Sequence, residues 1–170
     1  HDNELTRWNE IAETIGGNSR LLWMAYQAAA EAGSAPALRA RLPQIRKNSP
    51  PDRATAELAI TMDVDEGATE NGLDRAIHWH RSGSIDAEAF LATCDILARA
   101  GLDSERLHRL RAVALSDTGN LEDALKASSL ALSKSETKAA LRVHADLLVR
   151  SKREEDAVAP LEQLLTLGVD

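Results

Sequence analysis

The strongest constraint in this sequence is a self-similarity between residues 104 and 168. Two consecutive stretches, 105–134 and 136–167, each read as helix, short polar break, helix. The first break is Asp117-Thr118-Gly119-Asn120 and the second centres on Ser151-Lys152-Arg153. The same phrase follows each break: Asn120-Leu121-Glu122-Asp123-Ala124-Leu125, then Arg153-Glu154-Glu155-Asp156-Ala157-Val158. Ala124 and Ala157 therefore lie about one 34-residue helical repeat apart. A hairpin of this size cannot bury its apolar stripe alone, so consecutive copies must stack on one another.

The side chains suit such a stack. Hydrophobic residues make up 44% of the chain but aromatics only 3%, so Ala and Leu carry the burial. Small side chains let helices approach closely. Alternating β-branched runs are scarce, and no strand is expected. No apolar run is long enough for a membrane span. A net charge of −7 argues against a nucleic-acid partner. The single cysteine, Cys94, excludes an intrachain disulfide and any multi-cysteine metal site. No basic residue adjoins it in the sequence, so it reads as an inert, partly buried thiol.

Ahead of the two units the sequence predicts six more helices, over 4–15, 20–32, 37–47, 53–62, 70–81 and 85–100. The second is apolar all round and is expected to be buried on several sides. Asn48-Ser49-Pro50-Pro51-Asp52 is the clearest break, and 63–69 reads as an acidic loop. Ser84 is the expected cap of the sixth helix and Gly101 its stop. The total is ten helices, the fourth without an evident partner.

The last two units resemble the tetratricopeptide repeat. That family places small residues where the helices of a hairpin cross and where hairpins stack. Here those positions carry Ala112, Ala124 and Ala131 in one unit, and Ala145, Ala157 and Leu164 in the next, with Leu141 and Leu161 also on pattern. Weaker matches place Ala89, and Ala25 with Ala37, at such points. Arg111 and His108 occupy positions where the family prefers apolar or aromatic residues, and Pro160 sits inside the last helix. The resemblance implies an all-α, right-handed α-solenoid of stacked antiparallel helix hairpins, about ten helices in one domain over 1–170. The last helix keeps an apolar face at Val158, Leu161, Leu164 and Leu165 instead of a polar cap, which favours a fragment of a longer array.

Several constellations are weighed against chemistry. His78 and His80 are two residues apart on a helix, so their rings point about 200° apart and do not suit one metal ion. Asp63, Asp65, Glu66, Glu70 and Asp74 suggest a calcium loop, but Ala68 stands where the essential glycine belongs and Asp74 where glutamate belongs. A solvated connection between helices is expected instead. No nucleophile motif or phosphate-binding loop is present, and no cofactor is implied.

The resemblance also assigns an inner face. It comprises Arg106, Arg109, Val113, Ser116 and Asp117 from one unit and Ala139, Arg142, Asp146, Val149 and Arg150 from the next, with His78 on the corresponding face of an earlier hairpin. The ligand-binding candidates are Arg106, Arg109, Arg142, Asp146, Arg150 and His78. Arginines bind carboxylates through a two-pronged fork. The expectation is a non-catalytic scaffold that binds a protein or acidic peptide. The alternative is a periplasmic module of a bacterial envelope or exopolysaccharide-export assembly, guiding an anionic polysaccharide or docking partner subunits. The start at His1 leans that reading toward the periplasm over the cytoplasm.

Overall fold

The computed structural model describes residues 53–168 together with Met24, Ala25 and Ala28. The helices expected over 4–15 and 37–47 and the break at 48–52 lie outside the described residues. Of the helix expected over 20–32, Met24, Ala25 and Ala28 are helical, and Met24 is mostly exposed, against the burial expected there. Among the described residues all regular structure is α-helical, in seven elements. The chain divides into two compact units, 1–89 and 90–170, each taken by itself.

In the first unit, α1 (Arg53–Asp65) packs on α2 (Thr69–Arg81), which gives the fourth expected helix its partner. α1 runs three residues beyond the expected end at Met62. The cause is Asp63, which is buried and grips Arg75 of α2 with both oxygens: Nε donates at 2.9 Å and Nη2 at 3.0 Å. The acidic stretch is thus not a solvated loop throughout; its first carboxylate belongs to the helix contact. Arg75 also lies over the Trp79 ring, 5.9 Å from its centre. α3 (Ala87–Arg99) begins two residues later than expected, because Asp86 and not Ser84 caps it: the Ala89 N–H donates to Asp86 Oδ1 at 2.7 Å.

The second unit holds α3 from Phe90 onward, with α4 (Glu105–Asp117), α5 (Leu121–Lys134), α6 (Lys138–Arg150) and α7 (Glu154–Thr166). α4 pairs with α5 and α6 with α7, while α6 also packs on α5 and reaches α4. Ser104, Asn120 and Thr137 cap α4, α5 and α6 by accepting from the third N–H of each helix. α4 and α6 end in the same way. The Gly119 and Asn120 N–H groups donate to the Ser116 and Leu115 carbonyls; those of Lys152 and Arg153 donate to Val149 and Leu148.

The small residues sit where close packing needs them. Ala112, Ala124, Ala131, Ala145 and Ala157 are all buried. Ala112, Ala124, Ala127 and Leu147 form a core, extended by Leu115, Leu121, Leu125 and Val143. The two atypical residues are each held by a carboxylate, Arg111 in an ion pair and His108 in a hydrogen bond. Arg111 reaches Asp95 of α3 at 2.6 Å. Buried His108 holds Asp103 Oδ1 through Nε2 at 2.7 Å, and Asp103 also takes Lys134 of α5. Those two hydrogen bonds, Lys134 first, hold the Asp103 carboxyl below its ordinary range. α7 continues through Pro160, whose ring is buried.

Candidate functional site

α4 and α6 leave between them a groove of about 310 Å³. Val113, Ser116 and Asp117 come from α4; Arg142, Val143, Asp146, Leu147 and Arg150 come from α6. The residues recur at three- and four-residue steps, so each helix turns one face to the groove. Six of the lining residues are ones that the repeat resemblance assigns to the inner face. Val143 and Leu147 are additions; both belong to the apolar core behind the groove.

The groove has an apolar floor and a charged rim. Val113, Val143 and Leu147 supply the aliphatic surface. Two guanidinium groups face two carboxylates, so the lining has no excess of either charge. Arg150 Nη1 lies 3.9 Å from Asp146 Oδ2, a loose pair in which both side chains remain half-exposed. Arg142 is exposed and makes no ion pair or hydrogen bond within the described residues. Ser116 is only 4% exposed, and its Oγ has no hydrogen-bond partner. Ser128 and Ser133 return their hydroxyls to a backbone carbonyl, Leu125 at 2.9 Å and Leu130 at 2.7 Å. The Ser116 hydroxyl is buried beneath the groove surface; His108 Nδ1, Arg111 Nε and Ser151 Oγ are likewise buried without a partner, and none of them lines the groove.

The remaining candidates are placed as follows. Arg109 does not line the groove; its Nε donates to Glu105 at 2.7 Å, and Glu105 also accepts from Thr137 at 3.2 Å. Arg106, half-buried on α4, is also absent from the lining. His78 belongs to the first unit, where it is exposed on α2.

Two further groups bear on chemistry. Cys94 is fully buried, and that burial pushes its thiol up to about 12 despite the nearby Arg111, which pulls the other way. Arg111 is seventeen residues on, so no basic neighbour is visible in the local sequence. Among the described residues no three His, Cys, Asp or Glu side chains converge as metal ligands. No helix of the described residues is long and apolar enough to cross a membrane.

No family model and no curated protein matches this chain. Among solved structures it is similar to a point mutant of MamA, with a TM-score of 0.52 and 15% sequence identity. The alignment covers 71% of this chain and 100% of that one. At that identity the likeness concerns architecture, and it carries nothing in favour of a periplasmic export role. Together with the internal repeat and the buried alanines, it gives the chain a tetratricopeptide-like helical repeat fold.

Proposed function

We propose that this protein is a non-catalytic interaction scaffold and that the α4–α6 groove receives a segment of a protein partner. The single observation carrying this reading is the groove's composition: an aliphatic floor bordered by an uncommitted, exposed Arg142. An aliphatic side chain of the segment rests on Val113, Val143 and Leu147. A carboxylate beside it meets the Arg142 fork. The equal count of guanidinium and carboxylate groups in the lining favours a segment of mixed character over a polyanion, whether acidic peptide or polysaccharide.

The test is selection from a random peptide library against the 170-residue chain, followed by affinity measurement on the enriched sequences. The selected peptides should share an aliphatic residue next to Asp or Glu. Val113→Asp and Arg142→Ala should each weaken them roughly tenfold, as expected for loss of a central contact. Enriched peptides that bind both variants unchanged would refute the groove as the site.

A further inference from the structure

We infer that the α4–α6 groove selects a dipolar segment: an extended stretch of a partner protein in which a carboxylate and a basic side chain, about four residues apart, flank the aliphatic one. The inference rests on the reading of the groove as a docking site and adds to it the second charge and its spacing.

Two of the four lining charges are paired and two are free. Arg150 lies beside Asp146 on the same helix. Arg142 and Asp117 are exposed and make no hydrogen bond or ion pair within the described residues. The repeat explains the free arginine. Arg109 is the equivalent residue of α4, and Glu105, one turn before it, holds its guanidinium at 2.7 Å. One turn before Arg142 stands Lys138, a like charge that cannot pair with it. For Asp117 the residue one turn back is Val113, which carries no charge.

The two free charges sit toward opposite ends of the groove. Three-residue breaks reverse the chain after α4 and again after α5, so α4 and α6 run in the same direction. Asp117 closes α4, and its equivalent, Arg150, closes α6. Arg142 stands eight residues before Arg150, about 12 Å back along the helix. An extended chain spans that distance in about four residues, and its alternation turns the first, third and fifth side chains to one face. A helix would need two turns for the same span, too short to persist in water. The ends also differ in charge. Asp117 and Asp146 outnumber Arg150 at the closing end, where the C-termini of both helices favour a cation as well. Arg142, near Lys138, favours a carboxylate. A segment acidic at both places meets Asp117 with like charge, and one basic at both places meets Arg142.

The probes are four fluorescein-labelled nonapeptides of Gly and Ser that carry, at their third, fifth and seventh positions, Glu-Leu-Lys, Lys-Leu-Glu, Glu-Leu-Glu or Lys-Leu-Lys. Each is titrated into the whole 170-residue chain and followed by fluorescence anisotropy. At least one dipolar peptide should bind roughly three- to fivefold more tightly than both like-charged ones. In Asp117→Lys the Glu-Leu-Glu peptide should become the tightest of the four. Asp117 is exposed and ends a helix, where lysine is favourable, so this variant keeps the fold. Equal affinities across the four, or a ranking that Asp117→Lys leaves unchanged, would overturn the inference alone, provided Val113→Asp still weakens every peptide. Binding that Val113→Asp leaves intact would refute the groove and the inference with it. So would an absence of saturable binding by all four.

Discussion

Ser128 Oγ lies 2.8 Å from His144 Nδ1 and ties α5 to α6 across the stack. The same hydroxyl is 2.9 Å from the Leu125 carbonyl, which can only accept. The consistent assignment has Ser128 donating to that carbonyl and accepting from the ring Nδ1–H. Burial, and secondarily Arg153, lowers the His144 pKa from its ordinary 6.5. A histidine with a lowered folded pKa binds its proton more readily when unfolded. Its neutral form therefore supports the fold above about pH 6.5, and that support is lost as pH falls below it toward the folded value. Urea midpoints at pH 7.5 and 5.5 should drop more for the wild type than for His144→Gln. Equal drops would show that His144 is not the titrating group.

Gly119 and Lys152 occupy equivalent positions after α4 and α6, with φ of +85° and +58°. Both are left-handed, and a side chain is strained there although no neighbouring atom crowds a Cβ at Gly119. Lys152→Gly should stabilise the chain by about 1 kcal/mol, and Gly119→Ala should destabilise it by a similar amount. Denaturant midpoints at constant slope check both. A lysine variant that loses stability would mean Lys152 holds a contact worth more than its strain.

Ala124 lies at the crossing of α4 and α5 with no exposed surface. Ala124→Leu should destabilise by about 1–3 kcal/mol through overpacking. Ala139→Leu, on the exposed side of α6, should have little effect. Equal tolerance of the two would contradict the close approach that the fold requires.

Cys94 should be unreactive in the native state, because burial hides the thiol and holds it protonated. At pH 8, alkylation should be on the order of a thousandfold slower than in denaturant, and should accelerate only with unfolding. Rapid native labelling would contradict its placement.

The recurring alanines and the two breaks made the second unit legible in the sequence, because small side chains at hairpin crossings leave a local signature. The Asp63–Arg75 pair was not, since it joins residues twelve apart on different helices, and without it α1 seemed to end early and stand alone. The neutral balance of the groove was partly readable. Glu105 stands four residues before Arg109, the spacing at which a helix pairs opposite charges, and that arginine is accordingly engaged. Ser116 falls on the inner face by the repeat pattern, but its lack of a hydrogen-bond partner left no signal, because that can be seen only when all its neighbours are in place.

The most direct measurement is a methyl NMR titration of the full chain with a library-selected peptide. The methyls of Val113, Val143 and Leu147 should shift together along one saturation curve, and Arg142→Ala should move that curve to higher peptide concentration. Shifts confined to residues outside α4 and α6, with those three methyls unmoved at saturation, would contradict the groove as the binding surface.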